Sequence, residues 1–164
     1  MSDEEKEILL SKIKKGLIDM AWADIEKASA GGSKMGAFIL CSCYIDYLAG
    51  FRFGKPGTGT EYKKFIEIYL QNYNPETIYT DMRCGIVHNY TEGGSYVFVH
   101  SLPNFHFYNP GGIGKTTLNL ENFMADIKQA AETYLGELSE SDELIQLAAK
   151  RMAMKDILQT QDHL

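Results

Sequence analysis

Apolar side chains recur at helical spacing along most of the chain. Between Ser2 and about Ala30 they fall three or four positions apart, which predicts one long amphipathic helix. Glu5 stands three residues after Ser2, and this capping-box pattern is typical of a helix N-terminus. Residues 35–49 are apolar on nearly every side, so they predict a second helix at the centre of the fold.

Four more helices are predicted after a glycine-rich connection at residues 50–59. Each begins near a polar residue, and most of these can accept a hydrogen bond from the free amides of the first helical turn. The predicted starts are Thr60, Asn74, Asn119 or Glu121, and Ser139 or Ser141. We expect Gly136 to end the fifth helix, and the last helix to reach about Leu158.

The spacing of apolar residues changes from helical to alternating after Gly94. Three short runs, at residues 96–99, 105–108 and 116–120, alternate in this way and are separated by turn residues. We expect them to form a small antiparallel sheet, inserted at about residues 95–120. The predicted fold class is mainly α, an up-and-down helical bundle in a single domain, 1–164, with this β insertion.

The turn before the third run, PGGIGKTT at residues 110–117, imitates a phosphate-binding loop. That loop requires a glycine five residues before its Gly-Lys pair, and Asn109 occupies the position here. It also requires a helix directly after it, whereas the residues that follow favour a strand. We therefore interpret the segment as a glycine-rich hairpin turn.

The composition argues against several classes of protein. The 164 residues include 16 Lys and Arg against 22 Asp and Glu, and a net charge of −6 disfavours a broad nucleic-acid surface. No apolar run approaches the roughly 18 residues of a membrane span, so we expect no membrane association. Three cysteines without paired CxxC motifs favour reduced thiols and a cytoplasmic protein. His100 and His106 flank a turn without a third ligand, so neither a metal site nor a cofactor is predicted.

One helix carries the strongest candidates for chemistry. Residues 74–91 read NPETIYTDMRCGIVHNYT, and the Asn-Pro pair suits a helix start. Arg83 and His88 lie off its apolar stripe, roughly 140° apart around an α-helix. Arginine presents a planar fork of donors that suits a phosphate, and a histidine near a helix C-terminus is a candidate acid or base. A carboxylate in so apolar a segment is costly unless paired, so Asp46 of the central helix either reaches the surface or meets a cation, and Arg83 is a candidate partner.

The segment RCGIVHNY at Arg83–Tyr90, led by IYTDM, resembles the signature of the HEPN superfamily (higher eukaryotes and prokaryotes nucleotide-binding domain). Members of this superfamily are small helical proteins marked by an arginine followed a few residues later by a histidine. The resemblance implies a homodimer in which two Arg–His pairs form a metal-independent ribonuclease site, as in a toxin or defence system. Arg83 then holds the RNA phosphate and His88 does acid–base work on the ribose 2′-hydroxyl. The auxiliary binding residues are Asp46, Asn89 and Tyr90.

One difference from the family leaves a second hypothesis open. Many active members carry Asn, Asp or His directly after the arginine, whereas this chain has Cys84. In the alternative, the protein is a non-catalytic nucleotide-binding or protein-interaction module. Arg83 then pairs with Asp46 for structural reasons, while His88 and Asn89 satisfy the end of the helix by hydrogen bonds. A third hypothesis is a dimer whose partner protein encodes the activity.

Overall fold

The computed structural model describes residues 2–90, 94–112 and 114–154, most of which are helical. The α-helices are α1 (Asp3–Lys14), α2 (Ala23–Ala30), α3 (Lys34–Phe53), α4 (Gly59–Tyr69), α5 (Pro75–Ile78), α6 (Leu120–Glu140) and α7 (Asp142–Met152). π-Helical segments at Lys15–Trp22 and Tyr79–Val87 continue α1 and α5 directly. The predicted mainly helical fold is therefore confirmed.

The first helix runs from Asp3 through three consecutive segments to Ala30. Its start carries the predicted capping box, in which the Ser2 hydroxyl accepts from the Glu5 amide and the Glu5 carboxylate accepts from the Ser2 amide. The π-helical segment in its middle was not predicted. A π-helix is bonded from residue i to i+5, so its turn is wider than that of the α-helix on either side.

Helix α3 is the central helix, as predicted, and half of its 20 residues are buried against the rest of the fold. It extends to Phe53, beyond the predicted end at residue 49, and ends at Gly54 in the left-handed region with φ of 67°. The predicted glycine-rich connection is correspondingly shorter. Gly50 belongs to the buried helix, where an added Cβ would lie 3.0 Å from the Arg151 Nε atom. A small residue is needed there for packing, which explains a glycine that resembles a loop signal.

The prediction of an antiparallel sheet is wrong. Within the described residues the sheet consists of β1 (Tyr96–Val99) and β2 (Thr116–Asn119), which pair in parallel with Tyr96 opposite Thr116. Residues 105–108 do not form the predicted middle strand, because a 3₁₀ turn occupies Pro103–Phe105 and Phe107 has a left-handed φ of 58°. The first and third strands of a three-stranded meander run in the same direction. Once the middle one is displaced they pair directly, and the sheet is parallel.

The β insertion is fixed to the helical bundle at two places. The buried Asp81 carboxylate accepts hydrogen bonds from the Ser95 and Tyr96 amides, at 2.8 and 3.0 Å, and so holds the start of β1. At the other end, Tyr73 donates to Asp126 at 2.6 Å and lies 3.1 Å from the His106 Nε2 atom. The insertion therefore packs on the same helix that carries Arg83.

Helix α6 continues through Gly136 to Glu140, so the predicted end at Gly136 is wrong. A glycine within an exposed helical turn lowers stability only modestly, and packing on either side sustains the helix. Ser141, one of the two predicted starts of the last helix, caps α7: its hydroxyl accepts a hydrogen bond from the Leu144 amide. The predicted end of the last helix near Leu158 lies outside the described residues. In the part of the chain that the structure describes, no helix has both the length and the apolar character to cross a bilayer.

Candidate functional site

Arg83 and His88 lie in direct contact, because the backbone between them is π-helical. On the α-helix that the sequence predicts, residues five apart point in different directions. In the observed segment Tyr79–Val87 the backbone bonds run from i to i+5, so residues five apart lie about one turn above each other. The Arg83 Nη1 atom is 2.8 Å from the His88 Nε2 atom.

Asp46 completes the cluster from the facing helix α3. Its carboxylate accepts a hydrogen bond from the Arg83 Nε atom, and the two side chains form a partly buried ion pair. The predicted partnership is therefore present. Gly57 allows the connection after α3 to pass close by, since a Cβ there would lie 2.9 Å from the Asp46 carbonyl oxygen.

Burial and charge act in opposite directions on this pair. Burial raises the pKa of the Asp46 carboxyl, and the Arg83 guanidinium offsets only part of that rise. Burial also works against the Arg83 charge, but the charge and hydrogen bond of Asp46 outweigh it and raise the pKa of Arg83. Because Arg83 stays charged at any working pH, we treat the pair as guanidinium and carboxylate.

The contact with Arg83 determines where the proton of neutral His88 lies. A guanidinium has only donors, so the Nε2 atom of His88 must accept the hydrogen bond, and the proton is on Nδ1. Asp46 and His88 use two of the five guanidinium N–H groups. The other donors, at a side chain that is 28% exposed, can bind an anion from solvent.

Cys84, the residue that departs from the family pattern, contacts Tyr79 in the same π-helical segment. Burial, together with a hydrogen bond to the Cys84 thiol, raises the pKa of the Tyr79 hydroxyl. The Tyr79 ring packs edge to face against Tyr62, with ring centroids 5.6 Å apart. Cys84 therefore lies in the same helical segment as this aromatic ring and Arg83.

The two other auxiliary residues lie at the end of the helix. Asn89 donates from Nδ2 to the Cys84 carbonyl oxygen at 3.0 Å, so it satisfies the helix end as the alternative hypothesis expects. His88 does not share that role, because its ring contacts Arg83. Tyr90 is 70% exposed and has a left-handed φ of 53°, so it ends the helix at the surface beside His88.

The cations of the predicted glycine-rich connection are bound elsewhere. Arg52 donates to the Tyr69 hydroxyl at 2.9 Å, and Lys55 pairs with Glu61 at 2.7 Å. The segment that imitates a phosphate-binding loop leads into a strand, β2, and not into a helix, but it does not join two strands as the predicted hairpin turn would. Among residues 2–90, 94–112 and 114–154, no three His, Cys, Asp or Glu side chains are grouped as metal ligands would be.

Sequence reasoning missed Cys43, an exposed residue one helical turn before Asp46 on α3. Burial raises the pKa of its thiol, while the Arg83 charge opposes that rise and Asp46 adds to it, so the thiol lies within reach of the pair. The three-residue spacing from Asp46 was the available signal, since it places both residues on one helical face.

Comparison with known proteins gives no functional assignment, so the functional interpretation depends on the geometry of this cluster. No family model matches the chain, and neither a curated protein nor a solved structure matches it. The resemblance to the HEPN superfamily therefore stays a prediction that depends on Arg83 and His88. What the cluster can do chemically follows from its parts, namely an anion-binding guanidinium, an exposed imidazole and a carboxylate that orients the guanidinium.

Proposed function

We propose that the protein is a HEPN-like ribonuclease that cleaves RNA without a metal ion, using Arg83 and His88. The observation that carries the proposal is the 2.8 Å contact between the Arg83 Nη1 and His88 Nε2 atoms. A phosphate bound to the guanidinium would lie within reach of the imidazole, which is the arrangement that acid–base catalysis on a phosphodiester requires.

The proposed reaction uses the ribose 2′-hydroxyl as the nucleophile. Its oxygen attacks the adjacent phosphorus, the bond to the 5′-oxygen breaks, and the products are a 2′,3′-cyclic phosphate and a free 5′-hydroxyl. One group must remove the proton from the 2′-hydroxyl and another must protonate the leaving 5′-oxygen. Arg83 stabilises the negative charge that develops on the phosphate oxygens.

Binding of the RNA substrate would free His88 to act as the general base. In the described state the lone pair of His88 Nε2 is occupied by Arg83. In this proposal the phosphate binds the free N–H groups of Arg83 and draws the guanidinium away from His88, which frees the Nε2 lone pair to accept a proton. Asp46 keeps the guanidinium in place from its Nε side while this exchange occurs.

A homodimer is part of this proposal. Each chain contributes one Arg83–His88 pair, and a second pair from another copy supplies the second proton-transfer group. Sedimentation of the purified chain should therefore show a dimer under the conditions in which RNA is cleaved. A monomer that cleaves RNA at full rate would contradict the dimeric site while leaving the ribonuclease proposal in place.

The decisive experiment is cleavage of a mixed pool of structured and single-stranded RNA at near-neutral pH with a chelator present. We expect products with cyclic phosphate ends, and loss of cleavage in both Arg83→Ala and His88→Ala. His100→Ala is the matched control, because His100 is exposed and, among the described residues, its side chain bonds only its neighbour Ser101, at 3.2 Å. Cleavage that persists in both site variants would refute the proposal.

The observed ion pair favours one alternative, a non-catalytic nucleotide-binding or protein-interaction module. Arg83 is already bound to Asp46, as a structural role for the motif would require. In that case wild-type protein and His88→Ala show the same background in the RNA assay. Arg83→Ala then lowers the temperature of unfolding and leaves nucleotide binding, measured by calorimetry, unchanged.

A further inference from the structure

Two exposed aromatic rings lie side by side in one loop of the β insertion. Phe105 and Tyr108 are 44% and 46% exposed, and their rings meet edge to face with centroids 5.2 Å apart. We call these two residues the aromatic patch. Among the described residues Tyr90 is the only other exposed aromatic residue, so such rings occur only after Arg83 in the chain. Exposed apolar patches on soluble proteins often mark a binding surface.

Backbone hydrogen bonds fix this loop so that both rings remain at the surface. The Phe107 amide donates to the Thr117 carbonyl oxygen, and the Thr117 amide donates to the Tyr108 carbonyl oxygen, both at 2.9 Å. Phe107 has a left-handed φ of 58°, which few residues other than glycine adopt, and its ring packs on buried Tyr73 with centroids 4.9 Å apart. The loop therefore packs one ring on the core and leaves Phe105 and Tyr108 in contact with water.

The β insertion also differs in charge from the rest of the chain. Residues 93–120 contain one lysine and no Asp, Glu or Arg, whereas the whole chain has a net charge of −6. The carboxylates of Asp81 and Glu121 accept hydrogen bonds from backbone amides of this segment, and that of Asp126 accepts one from Tyr73. The segment that carries the aromatic patch is thus one on which a polyanion meets little repulsion.

An unpaired stretch of RNA fits both properties of this surface. Its bases present faces that stack on exposed aromatic rings, and its phosphates favour a surface without carboxylates. Stacking does not depend on charge, so it can supply affinity in a protein whose net charge limits ionic contact. The bases of a duplex stack on each other, and their faces are covered. The aromatic patch therefore suits a single strand.

We propose that Phe105 and Tyr108 bind unpaired bases of an RNA substrate by stacking. The inference rests on the proposed function, which supplies RNA as the ligand, and adds that the substrate is single-stranded where it is held. The amides that begin β1 bond to Asp81, which lies on the same helix as Arg83. The aromatic patch thus belongs to a segment that is attached directly to the helix of the proposed cleavage site.

The test is binding of a fluorescein-labelled single strand of about ten nucleotides, with mixed sequence and 2′-O-methyl riboses. Methylation blocks the oxygen that attacks in the proposed cleavage, so binding is measured whether or not the chain is a ribonuclease. By fluorescence anisotropy the wild-type chain should bind this strand more tightly than the same strand annealed to its complement. Phe105→Ala and Tyr108→Ala should each weaken binding roughly fivefold to a hundredfold, as loss of one stacked base predicts.

Two further substitutions at Phe105 separate stacking from general apolar contact. Phe105→Trp retains an aromatic ring and should bind at least as tightly as wild type, whereas Phe105→Leu retains only apolar character and should bind as weakly as Phe105→Ala. The single tryptophan of the wild-type chain, Trp22, is 3% exposed. Saturation with unlabelled strand should therefore quench the tryptophan fluorescence of Phe105→Trp strongly and that of the wild-type chain little.

Ile8→Ala is the matched control, because Ile8 is an exposed apolar residue of α1, at 50%, and should leave binding unchanged. Every variant should unfold near the wild-type temperature, since Phe105 and Tyr108 bond the loop through carbonyl oxygens that substitution retains. The inference is overturned if the wild-type chain does not bind the strand, if the duplex binds equally well, or if Phe105→Leu binds like wild type. It is also overturned if Phe105→Ala converts a dimer to a monomer at unchanged affinity, because the patch is then an interface between copies.

Failure of this inference and failure of the proposed function give different results. A wild-type chain that cleaves RNA, with Phe105→Ala and Tyr108→Ala binding the methylated strand as tightly as wild type, refutes the aromatic patch and leaves the ribonuclease in place. A chain that binds the strand through these rings but does not cleave RNA supports the patch and refutes the proposed cleavage.

Discussion

Glu61 is a buried acid in the first turn of α4 that stays ionised through its neighbours. Only 4% of the residue is exposed, and its carboxylate accepts hydrogen bonds from the Lys55 ammonium and the Thr58 hydroxyl. Burial favours the neutral form, but these partners outweigh it and lower the pKa of Glu61 from 4.5 to about 2. The ionised Glu61 carboxylate thus holds the connection between α3 and α4 in place through Lys55 and Thr58.

The first prediction concerns acid stability. The unfolded chain binds the proton of Glu61 more tightly than the folded chain does, so its contribution is complete above pH 4.5 and declines as the pH falls toward 2. Glu61→Gln should lower the free energy of unfolding at neutral pH by about 2 kcal/mol, with the difference shrinking in acid. Chemical denaturation at several pH values measures this. Glu76→Gln, at an exposed pair with Lys63, should change stability little at any pH.

The second prediction concerns the role of Asp46 in positioning the Arg83 guanidinium. Asp46→Ala removes the acceptor that holds the Arg83 Nε atom, so the guanidinium loses a fixed position. We expect a loss of about 1–2 kcal/mol in stability and a larger fall in RNA cleavage rate than in RNA affinity. Urea denaturation and single-turnover kinetics give the two values. A variant that is less stable yet cleaves at the wild-type rate would show that Asp46 has no positioning role.

At the scale of elements, two of the helices each contain a wider, π-helical segment. The segment Tyr79–Val87 brings Arg83 and His88 together, and Met20 and Ala21 of the segment Lys15–Trp22 line a cavity of about 400 Å³ beside Tyr44. Hydrophobic periodicity barely distinguishes the two kinds of helix over so few residues. The contact between Arg83 and His88 is therefore a property of the element and not of the motif alone.

The third prediction concerns the attachment of β1 to the Arg–His helix. Asp81 is 2% exposed, and one of its oxygens accepts both the Ser95 and the Tyr96 amides. Asp81→Ala leaves two donors without an acceptor and should cost about 2–4 kcal/mol. Asp81→Asn retains one oxygen that can accept both bonds, so it should recover most of the loss. Thermal unfolding of the two variants provides the comparison, and equal losses would exclude the hydrogen bonds as the cause.

The fourth prediction concerns the other attachment, at His106. The Asn119 amide lies 3.2 Å from His106 Nδ1 and donates to it, so the neutral ring carries its proton on Nε2 and donates that proton to Tyr73. Burial lowers the pKa of His106 below 6.5, and Asp126 only partly offsets this. The unfolded chain therefore binds the proton first, and stability should decline as the pH falls below about 6.5.

Hydrogen exchange of the Asn119 amide is the measurement for this prediction, because protonation of Nδ1 removes its acceptor. As the pH falls, the protection of this amide, which is its exchange rate relative to the intrinsic rate of an unprotected amide at the same pH, should decrease. In His106→Gln the pH dependence should flatten, since the side chain no longer titrates. His100→Gln is the control, and an unchanged pH profile in His106→Gln would exclude His106 as the cause.

At the scale of the whole molecule, charge limits how the chain can meet RNA. The net charge of −6 opposes broad contact with phosphates, so binding has to depend on a few local cations such as Arg83. The fifth prediction is a shallow salt dependence. Affinity of His88→Ala for a non-cleavable RNA should fall with log salt at a slope of about −1, as for one or two phosphate contacts on a single strand.

Fluorescence anisotropy over a range of salt concentrations gives this slope. Adding Arg83→Ala to the His88→Ala background should flatten it further, because the principal phosphate contact is lost. A slope several times steeper would indicate a wide basic surface, and RNA would then bind elsewhere on the molecule.

The sequence by itself determined the features of this protein that depend on residues close together along the chain. Helical periodicity predicted the long first helix, the buried central helix and α4, because the order of apolar and polar residues along the chain determines which face of a helix is buried. Capping was also local, so Ser2, Asn74 and Ser141 begin helices where their side chains can bond the first amides. Asp46 could be matched with Arg83 because a carboxylate in an apolar helix needs a cation.

Only the tertiary structure decided the features that depend on distant parts of the chain. The parallel pairing of β1 and β2 depends on where residues 105–108 pack, and their alternating pattern is the same whether they pair in a sheet or cover Tyr73. The contact of Arg83 with His88 depends on a change of helical turn that no residue in the motif encodes by itself. The cavity beside Tyr44 exists because three separate segments do not fill the space between them. Its volume depends on which side chains become neighbours in the folded chain, and the order of residues in the sequence does not specify this.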